Sequence, residues 1–161
     1  MDREFWVQCD SKSDMQARLD SSECGVFDEL ITDEANTWGY LRLKEEGICI
    51  PIGFADVGLL PEVLLHNRMV YVGITDTVAG YEVATGNLVF KYRVPTVFHE
   101  FVASEREGII VQDETGFIGL SGDGDQMWMN MCSDTIETYR ISGSVIVGRT
   151  ADGDNFKFPI A

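Results

Sequence analysis

Histidine is nearly absent from this chain, for His66 and His99 are the only two in 161 residues. Neither stands beside a serine or cysteine in a nucleophile motif such as G-x-S-x-G, and no Walker A or G-x-G-x-x-G loop opens a helix. The common templates for nucleophilic catalysis and nucleotide binding thus lack support, and no catalytic residue is assigned. Cysteine is sparse too. Cys9, Cys24, Cys49 and Cys132 form no C-x-x-C pair and have no histidine at ligand spacing, so zinc and redox motifs are excluded. They read as reduced structural thiols; a Cys9 to Cys24 bridge would need an oxidising compartment. No apolar run reaches the ~18 residues of a membrane-spanning helix. Met1-Asp2-Arg3-Glu4 is acidic where a secretory signal is basic and then apolar. A cytoplasmic protein is expected, with no membrane contact, metal or cofactor.

Positive charge is the other scarcity. Twelve basic residues face 27 acidic ones, a formal charge of −15. Such a chain repels nucleic acid and anionic membranes and attracts a basic partner, although acidity also serves plain solubility. With 45% apolar residues, the chain is long enough to bury roughly 70% of its unfolded surface as one domain, 1–161.

What is abundant is β-forming sequence. Met69 to Tyr92 carries two aromatic and β-branched runs, the second turning at Thr85-Gly86-Asn87, where residues tolerate positive φ. A second copy runs from Ile109 through Gly116-Phe117-Ile118 and the turn Ser121 to Asp125, then Gln126 to Met131. A truncated third runs from Val145 through Ala151 to Asp154 and on to Phe158. Val72, Val111 and Val147 stand at matching places, 39 and 36 residues apart. A period near 40 belongs to repeated sheet units.

Tyr81, Thr85-Gly86 and Phe90, then Phe117, Gly122 and Trp128, resemble the blade of a quinoprotein-type or WD-type β-propeller. Three incomplete copies cannot close a ring of 4 to 8 blades. The expected fold is therefore mainly β: a curved antiparallel sheet or open sandwich of propeller-blade-like hairpins with one or two short helices. Residues 67–161 hold the repeats, and residues 1–66 hold N-terminal strands and a short helix. In that first part, Phe5-Trp6-Val7 suggests a strand and Ser11 a helix entrance within Asp10 to Glu23. Gly25 to Ile31 suits either a strand or a helical turn. Thr37 to Ile52 reads as a hairpin with Pro51 at its edge or end. Leu59 to His66, with Pro61 near a first turn, reads as a connecting helix.

Asp123-Gly124-Asp125 and Asp152-Gly153-Asp154 alternate carboxylates as calcium loops do, but neither reaches a glutamate twelve places on, and hairpin tips need the same residues. The acidic positions have another use. Asp113, Glu114, Asp123, Asp125, Asp134, Glu137, Asp152 and Asp154 fall on loops and strand ends of consecutive repeats, where stacking would gather them along one edge, with Trp128 as an aromatic anchor. In size and acidity the chain resembles bacterial toxin-immunity proteins, including those of contact-dependent growth inhibition. That resemblance implies a basic protein partner, a toxin nuclease domain whose active site is blocked. A small carboxylate-based hydrolase using Asp113, Glu114 and His99, a ligand-binding β protein, and a scaffold pairing through open edges stay open as alternatives.

Overall fold

Short runs of β-branched and aromatic residues become strands almost throughout the computed structural model, which describes residues 5–102 and 108–160. The chain opens with β1 (Trp6–Cys9) and helix α1 (Lys12–Asp20). Ser11 caps the helix, its hydroxyl accepting from the Asp14 N–H at 3.0 Å, and Arg18 pairs with Asp14 one turn back at 3.1 Å. Only Met15 and Leu19 are buried. Four residues apart, they press the helix onto Cys9 and Cys49 of the first sheet, with Trp38 and Tyr40 at the margin.

That first sheet contains β1, β4 (Thr37–Leu43), β5 (Ile48–Phe54), β2 (Gly25–Val26) and β3 (Leu30–Ile31). The segment from Gly25 to Ile31 is thus strand, in two pieces that both run parallel to β5. Pro51 does not mark an edge. It lies inside the buried strand β5, where β2 pairs with Ile48 and Cys49 and β3 with Ile52 and Gly53. The break between the two short strands spans Ile50 and Pro51, so no ladder on that side needs the proline's missing N–H.

The expected helix over Leu59 to His66 is instead β6 (Glu62–His66), paired with β7 (Met69–Ile74) across a two-residue turn. Asn67 and Arg68 sit there at φ 50° and 64°, as a type I′ hairpin requires. Pairing of Val63, Leu64 and Leu65 with the apolar β7 overrides a helix signal that rested on Pro61 alone.

From β6 onward one pattern recurs. β6, β7, β8 (Thr77–Glu82) and β9 (Leu88–Arg93) form a four-stranded antiparallel meander. β10 (Phe98–Val102), β11 (Ile109–Asp113), β12 (Gly116–Leu120) and β13 (Gln126–Met131) form the next, and β14 (Ile136–Ser142), β15 (Val145–Thr150) and β16 (Asn155–Pro159) a three-stranded one. Val72 on β7 and Val111 on β11 do occupy equivalent places, facing back to the preceding sheet, but on β15 that place belongs to Ile146, and Val147 lies one residue out of phase on the other face.

Alternation along these strands explains the stacking. On β7, Val70, Val72 and Ile74 face the first sheet while Tyr71 faces the third. On β11, Ile109 and Val111 look back to the second sheet and Ile110 forward to the fourth. β5, β11 and β12 are buried along their whole length because both faces are covered. Each interface thus has its own apolar core. No core joins the last sheet to the first among the described residues, so the molecule is an open, mainly β stack rather than a ring.

Candidate functional site

Register alone fixes which turns share an end of the stack. Gly116 pairs with Met131, Ile136 with Thr150, Phe98 with Asp113 and Thr77 with Arg93. The segments 75–76, 94–97, 114–115, 132–135 and 151–154 therefore lie together, at the end where β4 starts and β5 finishes. Hydrogen bonds sew them into a continuous seam. Phe98 N–H donates to the Thr75 carbonyl at 2.7 Å, Ile136 to that of Glu114 at 2.9 Å, Cys132 to that of Thr115 at 2.7 Å, and Ala151 to that of Thr135 at 2.8 Å.

This end collects Asp113, Glu114, Asp134, Glu137, Asp152 and Asp154. Their roles differ. Asp113 is fully buried, and its carboxylate accepts the N–H groups of Thr96 at 3.1 Å, Thr115 at 3.0 Å and Gly116 at 2.7 Å. It is a frame for the turn and offers a partner nothing. Asp134 accepts from the Thr135 N–H at 2.8 Å, and Asp152 accepts a short hydrogen bond from the Thr150 hydroxyl. Glu137 pairs with Arg149 at 2.6 Å. Asp152, Asp154 and Glu137 are exposed, and Glu114 and Asp134 half-buried.

Asp123 and Asp125 are elsewhere. Their turn joins the other ends of β12 and β13, at the opposite end of the stack, with Gly124 at φ +88° as a hairpin tip requires. Trp128 sits inward on β13, its indole over Gly119, at the edge of the core between the third and fourth sheets. As a contact it is removed from both acidic ends.

Three further carboxylates join the first group. Asp33 and Glu34 lie in the loop between β3 and β4, and Asp76 in the turn between β7 and β8. The Thr75 hydroxyl donates to the Ala55 carbonyl at 2.9 Å just past β5, and the Asn36 N–H at the end of the β3–β4 loop donates to the Phe54 carbonyl beside it at 3.0 Å. Asp76 carries the guanidinium of Arg93 at 2.7 Å. Asp33 and Glu34 were missed because the first sheet does not follow the repeat, whereas Asp76 lies inside the first repeat, in a turn that returns to the same end as 114–115 and 151–154.

A different set of titratable groups gathers on the first strands of three successive sheets. The Tyr139 hydroxyl on β14 makes a short hydrogen bond to Glu100 on β10, and Glu62 on β6 lies close to both. Burial, then the Glu100 charge, push the Glu62 carboxyl above the usual carboxylate range, against an opposing hydrogen bond from the Phe101 N–H. Burial and the Glu100 contact push the Tyr139 phenol up as well. His99 is the residue skipped in the β10 to β11 register, between Phe98 and Glu100. Its neighbour Phe98 pairs with Asp113, whose carboxylate already accepts three backbone N–H groups.

No family model matches the chain, and comparison with curated proteins gives no match. The fold does have counterparts among solved structures. It is similar to the computationally designed Ika4 protein, with a TM-score of 0.52 at 9% identity over 88% of this chain and 94% of that one. It is likewise similar to the computationally designed Ika8 protein, with a TM-score of 0.52 at 10% identity over 82% of this chain and 45% of that one. At such identities the likeness concerns the arrangement of strands and carries no residue of function.

Proposed function

We propose that the chain is an acidic binding module whose carboxylate-rich end grips a basic protein, in the manner of an immunity protein that blocks the active site of a nuclease toxin. One observation supports this above all: loops of all four sheets bring Asp33, Glu34, Asp76, Glu114, Asp134, Glu137, Asp152 and Asp154 to one end of a chain of net charge −15. Carboxylates in rows steer a cationic surface in from solution and then pair with its arginines and lysines. The frame beneath is rigid, since neighbouring turns share backbone hydrogen bonds. Little ordering entropy is then lost on binding.

The test is capture of the partner from native cells at low salt, followed by affinity measurement with the purified pair. A basic protein with nuclease activity, inhibited at one to one, is the expected catch. Replacing Asp134, Asp152 and Asp154 by lysine should weaken it at least tenfold, while the same change at Asp123 and Asp125 should matter far less. Equal losses from the two ends would overturn the assignment.

The rival reading, a carboxylate-based hydrolase, draws on Glu62, Glu100 and Tyr139 rather than on His99. Hydrolysis of a glycoside or phosphate ester that vanishes in Glu100→Gln would favour it.

A further inference from the structure

At the acidic end, where the first and second sheets meet, the surface sinks into a cleft of ≈ 550 Å³. Thr32, Asp33 and Glu34 form one wall, and Thr75, Asp76 and Arg93 another. Three features separate it from an ordinary groove. The Thr32 hydroxyl is buried in this wall and has no hydrogen-bond partner within the described protein, a state that natural proteins rarely leave without purpose. Glu34 and Thr75 both hold left-handed backbone, at φ 55° and 49°. For a β-branched residue such as Thr75 that conformation is strained.

The third feature is chemical. Within the cleft a guanidinium already rests on a carboxylate: Arg93 Nε lies 2.7 Å from Asp76 Oδ2. The Arg93 side chain is 81% exposed, so this contact is weak and easily exchanged. Lys91 and Arg93 both stand on the exposed face of β9, and Asp33 and Glu34, exposed as well, line the cleft with them.

We propose that this cleft is the socket for one arginine or lysine side chain of the basic partner. The inference rests on the acidic-end reading and adds to it the place where the central contact forms. The incoming cation would exchange with Arg93 at Asp76, draw on Asp33 and Glu34, and give the Thr32 oxygen a donor. A guanidinium suits this better than an ammonium, because its planar fork reaches several acceptors at once.

The probe is an acetylated hexa-arginine peptide, with hexa-glutamate as control, titrated at low salt into isotope-labelled protein and followed by amide chemical shifts. Saturable binding is expected, with the largest shifts at Thr32 to Glu34 and Thr75 to Thr77. Asp33→Asn with Glu34→Gln should weaken it at least tenfold while resonances of the distant sheets stay in place. Thr32→Val, nearly isosteric, should weaken it about threefold. Shifts confined to Asp134 and Asp152 to Asp154, with the double variant unimpaired, would overturn the socket and leave the acidic-end reading standing. Failure of hexa-arginine to bind at all would overturn both.

Discussion

Asp113 shows how a carboxylate at a strand end can be structure rather than contact surface. It is buried and accepts three backbone N–H groups from two segments, so any change that removes an acceptor strands donors that water cannot reach. Asp113→Asn should cost ~2–4 kcal/mol, seen as a lower urea midpoint with an unchanged m-value. Asp154→Asn, at an exposed tip, should stay within ~0.5 kcal/mol. In the sequence both are acids beside a turn; what separates them is the Thr96 N–H, 17 residues away, which no local pattern reveals. Glu62 makes the converse case. Its folded pKa is raised above the unfolded value by burial and by Glu100. Its contribution is therefore fully present below the unfolded pKa and lost as pH rises through the folded one. Glu62→Gln removes that loss, so the urea midpoint of the variant should gain on the parent as pH rises from 4 toward 7. A constant difference across that range would contradict the assignment.

Among elements, one contact recurs in the last three sheets. An aromatic residue on the outer strand lies over a glycine on the strand before it: Phe90 over Gly80, Trp128 over Gly119 and Phe156 over Gly148. In the fourth sheet Phe158, two residues further along β16, packs its ring toward Phe156 and Phe117 at centroid distances of 5.1 and 6.4 Å. Lys157 and Pro159 flank it, residues that discourage edge pairing. Gly119→Ala should be destabilising by ~1–3 kcal/mol, because its new methyl meets the Trp128 indole. Phe158→Gly should cost about 3 kcal/mol by opening the core and should promote association through the bared edge, measurable by light scattering. The hairpins behind this argument were legible in the sequence, since apolar runs and Asp-Gly or Thr-Gly turns mark them. In the first sheet β1 and the hairpin of β4 and β5 were legible too, but the parallel pairing of β2 and β3 with β5 was not, because those two strands have two residues each. Asp33 and Glu34, two of the eight carboxylates of the candidate site, escaped notice for the same reason.

For the whole molecule, the stack has unequal ends. Helix α1 covers the outer face of the first sheet through Met15 and Leu19, whereas β14 and β16 are largely exposed. Among the described residues each apolar core lies between adjacent sheets, so stability should behave mainly as a sum of local and nearest-neighbour terms. Amide exchange then ought to grade along the stack. β7, β8, β11 and β12 are covered on both faces and lie inside their sheets, and their amides should exchange slowest, near the global unfolding free energy. β14 and β16 should exchange fastest among the repeats, by roughly two orders of magnitude, a difference of about 2.7 kcal/mol. The acidic end gives this gradient a functional consequence. Asp134, Asp152 and Asp154 sit on the least protected sheet, while Asp33, Glu34 and Asp76 sit at the seam of the first and second. A basic partner bound across both groups should slow exchange most in β14 to β16, where most remains to be gained. A partner that left those strands unchanged would have to be held by the first and second sheets alone.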